Sequence, residues 1–434
     1  MRKINVAKLI KQLVFWLLMI VVMFLSLEFI GLNIAHRSAK TIILLFLIIF
    51  GSVAVHLHYG QQKSNYIKNN VLTFKANMNR SYKYDYLRIL AASFVIITHI
   101  VQNDVSKGYI IGENQLFISK IIYTLTLSCN LIYVMLSGAL LLPYKEESLF
   151  DFYTKRVSKV GIPLVIYYVF YLWQNLQLTN ITPSLLKNIC YNLITGKTPE
   201  SPHYWLIYTI LSIYIVIPFF RYMFKNLSYK MLTALCIIIL LFMTLNTFSG
   251  IGLAIGTFIS SWIGVAVIGY WVTRQETRKY DIILILVGII TVIVAIYIIK
   301  TQSNFLSLIC NCSPVMTLIS AGIFALVFKF GKLFDKGNWV IRILSKYSYS
   351  IILIHWWSLH WIAVKELGIR IDMYGGIGII ICYLAVLVVS LLMGFLIDNL
   401  VVVLVDYTFN WIIKMIKKLV LLFVVKRKQC LSKE

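Results

Sequence analysis

The sequence is short of charged residues, and of acidic residues above all. Only 13% of its 434 residues are Asp, Glu, Lys or Arg, and Asp and Glu together number 16. Hydrophobic residues make up 60% of the chain, and the mean hydropathy is +0.84. This composition excludes an ordinary soluble globular domain, in which about a quarter of the residues are charged.

Polar stretches are scarce as well. The longest stretches outside apolar runs, residues 60–84 and 179–203, have about 25 residues each, which is too few for a soluble domain. Apolar runs of about 20 residues recur from end to end, whereas a membrane β-barrel would have short alternating segments. The sequence therefore predicts an all-α polytopic membrane protein.

Several chemical signatures are missing. The SxxK, GxSxG and P-loop patterns do not occur as placed motifs, so the enzyme classes that depend on them have no support. The seven cysteines lie mostly in apolar runs and have no His or Cys partner at metal-ligand spacing, so no metal site is predicted. A disulfide between Cys310 and Cys312 would close a very small ring, and free thiols are expected there.

About twelve membrane spans are predicted from the apolar runs. Their approximate bounds are 11–33, 41–59, 85–104, 117–143, 160–178, 204–224, 230–247, 251–273, 281–300, 313–330, 343–364 and 374–405. The predicted organisation has two extra N-terminal spans (1–60), a cytoplasmic loop (61–84), a ten-span core (85–405) and a basic amphipathic tail (406–434).

The formal charge of +25, from 41 Lys and Arg against 16 Asp and Glu, would suggest nucleic-acid binding in a soluble protein. Here the basic residues concentrate in alternate loops, such as 63–83 and 155–159, and in the tail. This distribution is typical of a membrane protein that follows the positive-inside rule with both termini in the cytoplasm. It favours that explanation of the positive charge over nucleic-acid binding. The tail is expected to lie along membrane lipid at the inner leaflet.

One predicted span carries ionisable residues, which are costly in a membrane and mark a candidate functional site. Arg88 and His99 are 11 residues apart, so on a helix they share one face and are separated by about 16 Å along its axis. Asp85, one turn before Arg88, can pair with it.

Two interpretations of this pair stay open on the residues alone. Arg88 can hold an anionic group at the cytoplasmic entrance while His99 transfers a proton deeper in the membrane. Alternatively, Arg88 reaches the inner interface with its long side chain and His99 forms a hydrogen bond to a neighbouring helix.

The pattern of Arg, ten residues and His at the start of the core resembles the membrane acyltransferase-3 family. Further stretches agree with that family in order and spacing, and they contain Ser137 and Gly138, Arg156 and Pro163, His203, Trp205, Tyr208 and Pro218, and Tyr349 and His355. The stretches are "YDYLRILAASFVIITHI", "NLIYVMLSGALLLP", "FYTKRVSKVGIPLVIYYV", "HYWLIYTILSIYIVIPFF" and "LSKYSYSIILIHWW".

The resemblance implies an integral-membrane O-acyltransferase that moves an acyl group, most often acetyl from acetyl-CoA, to a hydroxyl of an envelope or exported polysaccharide. It implies donor binding by Arg88, Arg156 and Asp85, with His99 as the general base. It leaves His203, Tyr208, Tyr349 and His355 as unranked candidates for acceptor binding or for the oxyanion donor. The expected setting is the plasma membrane of a bacterial cell.

Several alternatives stay open at this point. Transfer can be direct or pass through an acyl-enzyme, and a separate extracytoplasmic protein can complete it. The acceptor glycan and the choice between acetyl and succinyl are not readable from the sequence. A transporter or flippase of a lipid-linked glycan would have the same spans and buried ions, and a non-catalytic scaffold would tolerate loss of both Arg88 and His99.

Overall fold

The structure is a computed structural model that describes residues 81–110, 112–175, 182–248, 256–334, 339–369 and 376–431. These residues form helices and connecting turns, and no strand occurs among them. The all-α prediction is confirmed. The two predicted spans at 11–33 and 41–59 lie outside the described residues.

The helices follow one another along the chain with short connections. In order they are α1 (Lys83–Ser106), α2 (Glu113–Thr126), α3 (Ser128–Leu141), α4 (Leu149–Arg156), α5 (Ile162–Gln174), α6 (Pro183–Thr195), α7 (Trp205–Phe224), α8 (Tyr229–Phe248), α9 (Trp262–Val272), α10 (Asp281–Thr301), α11 (Phe305–Ile309), α12 (Pro314–Lys329), α13 (Gly331–Phe334), α14 (Trp339–Trp357), α15 (Gly376–Ile397) and α16 (Val403–Leu431). Turns of π-helix follow or precede some of them, at Val157–Gly161, Ser358–Glu366 and Asp398–Val402.

Within the described part of the chain, six helical stretches are long and apolar enough to cross a membrane. They are Lys83–Ser106, Glu113–Leu141, Pro202–Phe224, Tyr229–Phe248, Gln275–Thr301 and Ile377–Lys418. Helices α9 and α12 are apolar but shorter. The protein is therefore a multi-pass membrane protein, while the figure of about twelve spans stays a prediction.

Hydroxyl side chains in these helices form hydrogen bonds with backbone carbonyls of their own helix. Thr209, Thr233 and Thr291 each donate a hydrogen bond to the carbonyl four residues earlier in the same helix. Such bonding matters because lipid offers a polar group no partner, and only helices or closed barrels satisfy a backbone in that environment.

The predicted span at 117–143 is divided into two helices at Leu127. Thr126, the last residue of α2, donates to the carbonyl oxygens of Ile122 and Tyr123 and accepts a 2.8 Å hydrogen bond from Thr98 of α1. Ser128, the first residue of α3, donates to the carbonyl of Leu125. The division thus occurs where hydroxyls bind the backbone and a neighbouring helix.

The chain divides into two compact units. One contains Lys155–Pro202 and the chain from Phe395 onward. In this unit Tyr167 donates a 2.9 Å hydrogen bond to the carboxylate of Asp398, and Ser158 donates to Asp406. These bonds connect α5 and the π-turn before it to the helices at the end of the chain, and they give two carboxylates partners in an apolar environment.

The other unit contains, among the described residues, 81–154 and His203–Gly394. Here α1 packs against α14, α3 and α2, and α3 packs against α9. A Cβ atom on Gly138 would overlap the carbonyl oxygen of Ala266, and one on Gly269 would overlap the backbone of Met135. Helices α3 and α9 therefore touch backbone to backbone, as small residues allow between membrane helices.

The contact at Gly138 leads to a first prediction. We expect Gly138→Ala to lower the free energy of unfolding by about 1–3 kcal/mol or more, because the new methyl group meets a backbone atom that cannot rotate away. The matched control is Gly161→Ala, a helical position where the nearest side-chain atom would lie 3.8 Å from the new Cβ. Unfolding in detergent, followed by circular dichroism, measures both. Equal stability of the two variants would contradict the prediction.

A buried ion pair stabilises the connection after α3. Arg221 of α7 forms a 3.2 Å ion pair with Glu147, and each of the two side chains is 7% exposed. The Arg221 guanidinium also donates to the carbonyl of Leu141 and lies 4.9 Å from the ring centroid of Phe152. All three contacts hold the loop between α3 and α4 against α7.

This pair leads to a second prediction. We expect Glu147→Gln to lower the free energy of unfolding by about 3 kcal/mol, because it leaves the buried Arg221 charge without its counter-ion. The matched control is Glu276→Gln, which breaks the exposed pair of Glu276 with Arg274, whose side chains are 44% and 40% exposed. That pair contributes less than about 1 kcal/mol. Similar losses in the two variants, measured by unfolding in detergent, would show that burial does not decide the effect.

Candidate active site

Helix α1 carries the two ends of the candidate site. Arg88 and His99 share one face of the helix, and α1 is continuous between them, so their separation along the axis is about 16 Å. The Arg88 guanidinium donates a 2.8 Å hydrogen bond to Asp85, as predicted, and 32% of its side chain is exposed. Donors of Arg88 that Asp85 does not use are therefore open to a ligand.

Asp85 is almost fully buried, at 1% exposure, and is bound from two sides. Besides Arg88, the hydroxyl of Ser345 on α14 donates a 2.6 Å hydrogen bond to the same carboxylate oxygen. A buried carboxylate needs such partners because desolvation of an unpaired charge is costly. Ser345 thus holds Asp85, and through it Arg88, against α14.

At the other end of α1, aromatic and imidazole rings form a cluster. The ring of His99 stacks on His355 of α14, with centroids 5.1 Å apart, and meets Trp356 edge to face at 5.2 Å. His203, in the turn before α7, packs against His355 at 4.8 Å and stacks on Trp356 at 5.8 Å. Three histidines that are far apart in the sequence are therefore brought together, with His355 between His99 and His203 and Trp356 in contact with both.

Two of these imidazoles are fixed by backbone carbonyls. His355 places Nδ1 2.7 Å from the carbonyl oxygen of Ile352, and His203 places Nε2 3.3 Å from that of Leu353. A carbonyl oxygen only accepts, so each of these nitrogens carries the hydrogen. The neutral rings of His355 and His203 therefore have their single N–H engaged with backbone.

His99 differs from the other two in exposure and in partner. His355 is fully buried and His203 is 6% exposed, whereas His99 is half-buried. Its Nδ1 lies 3.0 Å from the side-chain oxygen of Gln102, and no described residue forms a hydrogen bond with its Nε2. Of the three rings, His99 is the most exposed.

The remaining predicted residues, Tyr208, Tyr349 and Arg156, lie on α7, α14 and α4. Tyr208 on α7 and Tyr349 on α14 are half-buried and lie on the two helices that also position His203 and His355. Arg156 is the last residue of α4 and belongs to the unit of Lys155–Pro202. Its role in donor binding stays a prediction.

The structure adds residues that the sequence interpretation missed. Trp356 contacts His99 and His203, and also His360, whose ring centroid is 4.2 Å away. Ser345 and Gln102 are the partners of Asp85 and His99. The spacing of Gln102, one turn after His99, could have indicated its contact, but nothing in the sequence indicates that Ser345 lies opposite Asp85.

The described residues include two neighbouring free thiols, Cys310 and Cys312, and no cluster of metal ligands. Burial raises the pKa of the Cys310 thiol to about 11 and that of Cys312 to about 12, so both thiols are neutral near pH 7. Within the ranges that the structure describes, no group of three or more His, Cys, Asp or Glu side chains is arranged to hold a metal ion.

The comparison with protein families identifies the class of protein. A family model described as an acyltransferase domain matches residues 81–414, a range that contains every predicted site residue from Asp85 to His355. The chain belongs to the acyltransferase-3 family, and the family supports membrane acyltransferase activity. No curated protein and no solved structure matched the chain.

The contact between Asp85 and Ser345 leads to a third prediction. We expect Ser345→Ala to lower the free energy of unfolding by about 1.5–3 kcal/mol, because it removes a hydrogen bond to a buried charge. The matched control is Ser348→Ala on the same helix, since the buried Ser348 hydroxyl donates to the carbonyl of Ser345 within α14. The control should lose about 1 kcal/mol or less. Equal losses, measured by unfolding in detergent, would mean that Ser345 does not support Asp85.

Proposed function

We propose that this protein transfers an acyl group, most often acetyl from cytoplasmic acetyl-CoA, across the membrane to a hydroxyl of a cell-envelope or exported polysaccharide. The observation that carries the proposal is the accessible Nε2 of His99, on the same helix face as an Arg88 that is already oriented by Asp85. Membership in the acyltransferase-3 family supports the reaction class.

The separation between Arg88 and His99 suits the shape of coenzyme A. Its phosphorylated head is a natural ligand for a guanidinium, and its long arm ends in the thioester. A spacing of about 16 Å means that Arg88 and His99 do not bind the same group. In the proposed arrangement Arg88 holds the head while the arm extends along α1 toward His99.

The proposed reaction uses His99 as a general base and then as a general acid. Nε2 takes the proton of the acceptor hydroxyl while the oxygen attacks the thioester carbonyl, which forms the C–O ester bond. The C–S bond then breaks, and the protonated His99 returns its proton to the departing sulfur of coenzyme A. The same base can serve transfer through an acylated side chain, so both routes stay open.

The hydrogen bonds of the imidazole cluster narrow the choice of oxyanion donor. The neutral forms of His203 and His355 each have one N–H, and a backbone carbonyl accepts it in both cases. Neither ring has a second N–H to offer to a developing oxyanion. We therefore favour the hydroxyls of Tyr208 and Tyr349 for that role, and assign His203 and His355 to positioning His99.

The proposed function leads to a fourth prediction. We expect ester-linked acyl groups on the envelope glycans to disappear both in a deletion strain and in a strain with His99→Ala, because the acceptor hydroxyl then has no base. Acyl release by mild alkali, quantified for strains that express equal amounts of protein, measures this. The control is His58→Ala, a histidine outside the range that the acyltransferase family matches, and it should keep wild-type acylation.

Two results would contradict the proposal. Full acylation in the His99→Ala strain would mean that His99 is not the base. Unchanged acylation in the deletion strain, together with a loss of exported glycan, would instead point to a transporter or flippase, which has no use for acetyl-CoA.

A further inference from the structure

The side chain of Gln102 is the only hydrogen-bond partner of the His99 ring among the described residues. Its amide oxygen lies 3.0 Å from Nδ1, and the two residues are one helical turn apart on α1. This arrangement differs from that of His203 and His355, which are held by backbone carbonyls. The orientation of one side-chain amide therefore determines which nitrogen of His99 carries the hydrogen.

The neighbouring rings of His355 and Trp356 do not determine which nitrogen of His99 faces Gln102. Stacking on His355 and edge contact with Trp356 restrict the plane of the His99 ring. Both contacts are nearly indifferent to a rotation of 180° about the Cβ–Cγ bond, which exchanges each ring nitrogen with a carbon. A hydrogen bond to Nδ1 distinguishes the two orientations, because a ring carbon cannot replace the nitrogen in it.

The direction of the hydrogen bond has a chemical consequence. An amide can accept through its oxygen or donate through its NH₂ group. When the oxygen faces Nδ1, the hydrogen is on Nδ1 and the lone pair is on Nε2, the nitrogen that a substrate can reach. When the NH₂ group faces Nδ1, the hydrogen is on Nε2 and the ring cannot act as a base there.

We propose that Gln102 is a positioning residue that accepts a hydrogen bond from Nδ1–H of His99 and thereby holds Nε2 as the base. This inference rests on the proposed function and extends it to the residue that orients the base. The Nδ1–H bond to Gln102 is kept through the reaction. Nε2 takes the proton of the acceptor hydroxyl and passes it to the sulfur of coenzyme A.

The exposure of Gln102 makes the proposal testable by substitution. Its side chain is exposed and lies near the end of α1, which stops at Ser106, so no protein group buries a carboxylate placed there. Gln102→Glu can only accept, and it should support the same tautomer of His99. Gln102→Leu keeps a similar size but can neither accept nor donate. The matched control is Gln302→Leu, at the exposed position that follows α10.

The experiment measures acetyl transfer by the full-length protein in membranes that contain the native acceptor, with labelled acetyl-CoA as donor. We expect Gln102→Leu to lower kcat about 10- to 100-fold, the effect of a misplaced catalytic group, with KM for acetyl-CoA within about twofold of wild type. We expect Gln102→Glu to keep at least about a third of the wild-type kcat, since its carboxylate still accepts from Nδ1–H. Gln302→Leu should match wild type.

Each outcome bears on the proposal. Wild-type kcat in Gln102→Leu overturns it. A loss in Gln102→Glu as large as that in Gln102→Leu also overturns it, because the amide would then act as a donor to His99. A parallel rise of KM for acetyl-CoA would place Gln102 in donor binding instead. The His99→Ala variant in the same assay separates the two levels: if it remains active, the proposed function itself fails before Gln102 is considered.

Discussion

The need to satisfy polar groups on α1 in an apolar environment shapes the site. Asp85 is buried and His99 is half-buried, and both have partners on α14: Ser345 binds Asp85, and His355 stacks on His99. The contacts occur in the same order along the two helices, so α1 and α14 run parallel. Other elements attach to this pair, as when Tyr133 of α3 donates a 3.2 Å hydrogen bond to the carbonyl of Arg88.

The packing of α1 against α14 stabilises polar residues that would be costly in an apolar environment without partners. An unpaired carboxylate or imidazole in an apolar helix bundle would cost several kcal/mol, and such residues persist where they face other protein groups. The helix between the two ends is rigid, so the distance from Arg88 to His99 is set by residue count and not by loop conformation. A site built on helices holds its geometry more closely than one built on loops.

Hydropathy and helical spacing predicted much of this arrangement. The all-α membrane class, the pairing of Asp85 with Arg88 and the shared face of Arg88 and His99 follow from local periodicity, because contacts within a helix depend only on spacing. The resemblance to a family also singled out His203 and His355, and the structure packs His355 against both His99 and His203. Each of these two contacts joins residues more than 100 positions apart, which no local pattern encodes.

Other features could not have been predicted from the sequence. Ser345 and Trp356 look like ordinary members of an apolar helix, and their roles depend on which helix lies opposite. Hydropathy averages over a window, so it predicted a single span at 117–143 and did not detect the division at Leu127, where hydroxyls bind the backbone. It also predicted a span at 251–273, whereas the described helix there is α9, Trp262–Val272.

The length of α9 has a consequence for how the bilayer surrounds the protein. Eleven residues rise about 16 Å, roughly half of the 30 Å hydrocarbon thickness. A helix of this length cannot cross the hydrocarbon region, and lipid offers no hydrogen bond to the backbone groups of an end that stops within it. Ser261 caps the first turn by accepting from the amide of Ile263, and eight of the eleven residues of α9 are buried, with α3 among its neighbours. A helix about half as long as the membrane is thick is stable here because most of its surface contacts protein and not lipid.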